Sequence, residues 1–192
     1  MTLVVAYIGK KNAVMAGDMR EITFEGDKIS REKLERELYN GSIASNEDLE
    51  REAGYFGVKI TVRDDKTKVT QRDGILVGEV SSIEEGIMRK RRLYASAGNY
   101  IIAEIKDSEF EVKNRGNTAF IVLGNEITKG IANECIKKCW TKNGKLDDAI
   151  KSLIMAMETA AMKTASVSKK YILVQTSSKT DLSRFVEKDI GD

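Results

Sequence analysis

The chain contains no histidine and no proline, and only two cysteines among its 192 residues. Without histidine, every Ser-His or Cys-His triad and every His-ligated zinc hydrolase is excluded. Any hydrolytic or acyl-transfer chemistry must draw its base from a lysine, a carboxylate or a terminal amine. Cys135 and Cys139 stand one helical turn apart in ECIKKCW. Two ligands are too few for a metal site, so they read as packing residues or a regulatory thiol pair, and no metal or cofactor is expected. No apolar run reaches the length of a membrane span. The opening MTLVVAYIG has no basic segment and no small-residue cleavage site of the kind a signal peptide carries, so the expected location is the cytoplasm. Lysine and arginine number 32 against 30 acidic residues, a net charge of +2. That near-balance lacks the basic excess of a nucleic-acid binder.

What is present is ordered by hydrophobic period. TLVVAYIG alternates and is β-branched, GKKN turns the chain, and AVMAGD forms the return strand, so the segment predicts a tight hairpin. ITFEG continues as strand. Residues 30 to 56 are charged and helical in pattern, with Leu34 and Leu38 on one face and Leu49, Ala53 and Phe56 on another. Ser45 or Asn46 ahead of EDLERE is a good helix start. These short helices read as a solvated, peripheral insertion. VKITVRDDKTKVTQRDGILVGEV predicts a hairpin turning at DDKTK or QRDG, and RRLYASAGN, YIIAEI and TAFIVLG predict further strands. The period then changes. Ile127, Ile131, Cys135 and Cys139 form one helical stripe, and Leu146, Ile150, Leu153, Met157 and Ala161 a second. YILVQT returns to strand. Strands, a helix pair and strand again suit two sheets covered by helices better than alternating βαβ units. The expectation is one domain over 1–192 with a helical insertion at about 30–56.

Several of these stretches resemble a known family. TLVVAYIGKKNAVMAGDMR is similar to the opening of proteasome β subunits, with a threonine at the chain start and an acidic residue and an arginine two apart after a hairpin. Thr2, Asp18 and Arg20 fall on those positions once Met1 is removed. GNEITKGIANECIKKCW and KLDDAIKSLIMAMETAAMKTASVSKKYILVQT resemble the glycine-containing turn, two helices and final strand pair of that fold. GDMREITFEG, ILVGEVSS, RRLYASAG and KTASVSK resemble the connectases more closely still, over nearly the whole chain. These are small proteasome homologues of methanogenic archaea that act as protein ligases. The resemblance implies an α+β, four-layer αββα sandwich of the N-terminal nucleophile (Ntn) hydrolase, proteasome β-like class. It also implies acyl transfer without ATP, in which the acyl group ends as an amide on the nucleophile's own amine. Its substrate would be a peptide motif in a protein, a subunit of the methanogen tetrahydromethanopterin methyltransferase complex, acted on by a monomer. One departure stands out: Thr164 in MKTASVS occupies the position of a proteasome aspartate, and Ser166 or Ser168 is left to supply the hydroxyl.

The chemistry follows from the residue types. A threonine hydroxyl is a weak nucleophile until a base takes its proton, and an α-amine with a pKa near ~7.7–8.0 can be that base. A nearby cation keeps the amine neutral closer to working pH. The resemblance to proteasome β subunits implies a lysine beside the nucleophile; VKITV puts Lys59 on it and RRLYASAG puts Arg92 there, and both stay open. Asp18 and Arg20 would orient nucleophile and cation. The Gly124–Asn125 turn is placed to supply oxyanion donors, although a glycine entering a helix explains it equally well. In the cluster Arg89–Arg92, strand alternation puts Lys90 and Arg92 on one face and Arg89 and Arg91 on the other, so only one pair can meet an acidic peptide. A threonine peptidase or amidase uses the same groups as a ligase, and a catalytically inactive binding module would keep the fold without the chemistry.

Overall fold

The computed structural model describes residues 3–84, 87–107, 109–141 and 144–191. Strands β1 (Val4–Ile8) and β2 (Ala13–Asp18) form the expected hairpin, with Ala6 opposite Met15. They lie at the centre of a four-stranded antiparallel sheet in the order β10 (Ala119–Leu123), β1, β2, β11 (Tyr171–Thr176). β5 (Val69–Arg72), β6 (Ile75–Glu84), β7 (Ile87–Ser96), β8 (Asn99–Lys106) and β9 (Glu109–Gly116) form a five-stranded antiparallel meander. The hairpin β5–β6 turns at Asp73-Gly74 of QRDG, where both residues take positive φ, 50° and 77°. That is the turn an Asp-Gly pair favours.

Alternation along β1 and β2 makes two cores. Leu3, Val5, Val14 and Ala16 face helices α3 (Glu126–Cys139) and α4 (Leu146–Lys163), meeting Ile131, Ala132, Cys135, Leu153, Ala156 and Met157. Val4, Ala6, Ile8, Ala13 and Met15 face the other way, onto Leu76, Val80, Leu93 and Ala95 of the second sheet. Burial of each Val, Leu, Ile or Met among them contributes on the order of 1.5–3 kcal/mol. The sheets come close at Gly78, where an added Cβ would lie 2.6 Å from Met15 Sδ and 2.9 Å from Val4 Cγ1. The far side of the five-stranded sheet is covered by one helix, α5 (Leu182–Gly191), through Leu182, Phe185 and Val186 against Ile75, Val77, Tyr94, Ile101 and Ala103. The fold is therefore mixed helix and antiparallel sheet. One strand, then α5, follows the helix pair, where the resemblance leads to a strand pair.

The remaining unit is a hairpin with helices at its tip. β3 (Arg20–Glu25) pairs antiparallel with β4 (Lys59–Asp64), and α1 (Lys28–Tyr39) and α2 (Asn46–Phe56) lie between them. VKITVRD thus pairs backward with β3 and not forward with β5, so DDKTK is a crossing between sheets and not a hairpin turn. Asp27 caps α1 by accepting from the Ser30 amide, and Ser45 caps α2 by accepting from the Asp48 amide. The helices bury Leu34, Leu38, Ile43, Leu49 and Ala53 against Ile22, Phe24, Ile60, Val62 and Ala165, so the insertion has a small core of its own.

Arg20 joins this unit to the body. Its guanidinium donates to both Asp64 oxygens at 2.9 Å, to Asn46 Oδ1 at 2.7 Å and to the Ala165 carbonyl at 2.7 Å. The bond to Arg20 holds the Asp64 carboxyl below its ordinary value of 3.8. A depressed carboxyl stabilises the fold fully above the unfolded pKa and ceases to do so as pH falls through the folded one. Asp64→Asn should accordingly lower Tm at pH 6 to 7. Its deficit should shrink as pH drops below about 3.8, the unfolded value, in thermal unfolding followed by circular dichroism. A pH-independent deficit would contradict the ionic role.

Candidate active site

The site is organised by one carboxylate. Asp18 ends β2 with 0% of its surface exposed, and its oxygens take donors from four segments. Oδ2 accepts from the Leu3 amide at 2.7 Å, while the Leu3 carbonyl accepts from the Asp18 amide at 3.1 Å. Oδ1 accepts from the Arg20 amide at 2.8 Å, from Lys68 Nζ at 2.9 Å and, at a long 3.5 Å, from the Ser168 amide. Asp18 and Arg20 are adjacent as expected, but their side chains do not pair: Arg20 pairs with Asp64, and Asp18 with Lys68.

Lys68 is the cation of this site. It lies just before β5, with 7% of its side chain exposed, and Nζ also donates to the Arg20 carbonyl at 2.6 Å. Burial pushes its ammonium below the usual lysine range, against the opposing pull of Asp18. Neither expected cation reaches this place. Lys59 is on the exposed β3–β4 ribbon, paired with Glu25 at 3.1 Å. Arg92 pairs with Glu79 and, at 2.6 Å, with Asp189 of α5 on the far face of the second sheet. The strand period explains this: Lys90 and Arg92 share that face, and both line a cavity with Asp189. Arg89 and Arg91 are the pair that faces the insertion, so Lys90 does not belong to the site. No local pattern marks Lys68, because 50 residues, including the whole insertion, separate it from Asp18.

Thr2 lies outside the described residues. Ser166 and Ser168 are buried in the turn after α4, close to this cluster. Ser166 Oγ is 2.9 Å from Thr164 Oγ1, and Ser168 Oγ accepts from the Lys170 amide. Arg20, Lys68 and Ser166 line a cavity of about 520 Å³ whose other walls include Arg31, Glu35 and Tyr39 of α1. Gly124 and Asn125 line a second cavity, of about 620 Å³, with Arg89, Arg91 and Lys129. Tyr39 and Ser82 belong to both, so the two adjoin. Asn125 is the cap of α3, its Oδ1 occupied by the Thr128 amide at 2.8 Å. Among the described residues no three His, Cys, Asp or Glu side chains gather as metal ligands, and no helix is long and apolar enough to cross a membrane.

A solved structure shares the fold. An Anbu (ancestral beta-subunit) protein from Yersinia bercovieri superposes with a TM-score of 0.50 at 8% identity, covering 99% of this chain and 94% of its own. An Anbu Gly-1 mutant from a Hyphomicrobium strain matches at 0.47 and 11% identity, over 100% and 94% of the two chains. No curated protein matches. The family model for the N-terminal domain of MJ0548-like connectases matches residues 1–191. With that span, the chain belongs to the connectase family.

Proposed function

We propose that the chain is a sequence-specific protein ligase that forms an acyl-enzyme on Thr2 after Met1 is removed. One observation supports this reading above the rest: the Leu3 amide and the Lys68 ammonium bind opposite oxygens of buried Asp18. Thr2 is one peptide bond from that amide. A cation held there favours the neutral form of the Thr2 α-amine, which then serves as base.

In the proposed reaction Thr2 Oγ attacks a substrate carbonyl as its proton passes to the α-amine. The tetrahedral adduct collapses, the C–N bond breaks, and the leaving amine takes the proton. The acyl group is left as an ester on Oγ, from which it can pass to the adjacent α-amine as an amide. An incoming peptide amine reverses these steps and carries the acyl group away. One peptide bond is exchanged for another, so no ATP is consumed. A water molecule in place of that amine gives the runner-up, a threonine peptidase or amidase. The cavity beside Lys68 and the one that adjoins it at Tyr39 and Ser82 suit an extended peptide on either side of the bond. In this reading 1–192 is a single Ntn-type unit, α5 stands as its thin fourth layer, and the partner is a peptide motif in a protein such as the methanogen methyltransferase subunit.

Two measurements test it. Intact mass of the purified protein should lack Met1, and an active enzyme that keeps Met1 would overturn the mechanism. Wild-type enzyme mixed with an acyl-donor protein and a second protein bearing the leaving-group sequence should give fused product and a mass-shifted enzyme. Thr2→Ala should give neither. Free carboxylate accumulating at the rate of cleavage, with negligible fusion, would make the chain a hydrolase.

A further inference from the structure

The cavity beside Lys68 is bounded on one side by α1, whose Arg31, Glu35 and Tyr39 stand a turn apart on a single face. Most charges around it already have partners. Arg20 has Asp64, Lys68 has Asp18, Lys66 has Glu21 at 3.2 Å, and Glu79 has Arg92 at 2.6 Å. Arg31 differs. Its Nε is buried and donates to no acceptor, and its guanidinium forms no ion pair among the described residues. Glu35, one turn on, makes no ion pair with it. The same cavity carries apolar surface from Ile22, Phe24 and Met88. A partly buried guanidinium with no carboxylate paired to it, on the wall of a peptide-sized cavity, can donate charge-assisted hydrogen bonds to an anion that docks there.

We propose that Arg31 is a specificity residue of this site, holding the side-chain carboxylate of an Asp or Glu in the peptide that docks beside Lys68. This rests on the acyl-transfer reading for what the peptide undergoes, but the binding itself does not need catalysis. The insertion thereby acquires a task. It carries the reader of the substrate, and Asn46 and Arg20 fix its position relative to Lys68.

The test uses a library of random-sequence peptides in two arms. In the first, wild-type enzyme is incubated with the library and its attached acyl groups are sequenced by mass spectrometry. In the second, immobilised Thr2→Ala protein captures peptides without reacting. Both arms should show Asp or Glu enriched at one fixed position. Arg31→Met should lower that enrichment by about tenfold or more, the loss expected for a hydrogen-bonded charge pair. Arg31→Lys should restore it in part. No acidic preference in the capture arm, or a preference unchanged in Arg31→Met, overturns the proposal. Absence of any wild-type adduct counts against the acyl-transfer reading alone, because the capture arm still decides the role of Arg31.

Discussion

A carboxylate with no access to water has to be neutralised by the protein around it, and Asp18 is that carboxylate here. Its donors come from the start of β1, the junction of β2 and β3, the crossing before β5 and the turn after α4. Each of those segments has its own reason to be elsewhere. β1 and β2 are central in one sheet, β5 is at the edge of the other, and the last turn follows a helix. The ion pair with Lys68 sets where they meet. Removing one member of such a buried pair typically costs about 3–5 kcal/mol, because the other charge is stranded.

Arg20 extends the same arrangement outward. Its amide serves Asp18, its carbonyl accepts from Lys68, and its guanidinium clamps Asp64, Asn46 and Ala165. The backbone that positions the cation and the side chain that holds the insertion therefore belong to one residue. Arg20 thereby ties the start of α2 to Lys68. Tyr39, which lines both cavities, completes the link from the side of α1. Burial, with the carboxylates of Glu35 and Asp18 nearby, pushes its phenol well above the ordinary range, so it remains a neutral donor at the seam.

Local patterns were legible in the sequence, and long-range pairings were not. The β1–β2 hairpin followed from alternation and α3 and α4 from their apolar stripes, while the start of α2 was narrowed to Ser45 or Asn46 and the β5–β6 turn to QRDG or DDKTK, of which the structure takes the first of each. Each of these signals is contained within a few turns or one hairpin. Lys68 carries no local mark, since its role depends on a partner across the insertion. Lys59 and Arg92 resembled the cation equally well in one dimension, and alternation divided the Arg89–Arg92 cluster correctly without telling which face met the site. β9 and α5 do carry a local period, Phe110 and Val112 on the strand and Leu182, Phe185 and Val186 on the helix, but each is short and highly charged, with few apolar residues to display it.

The central claim is that the Asp18–Lys68 pair beside the chain start drives acyl transfer. The most direct measurement is the rate of acyl-enzyme formation, by intact mass, in the double variant Asp18→Asn/Lys68→Met, which leaves no buried charge unpaired. The account predicts a protein that still unfolds cooperatively but acylates about 10²-fold or more slowly than wild type, the scale of a lost acid–base contribution. A folded double variant that acylates at the wild-type rate would contradict it.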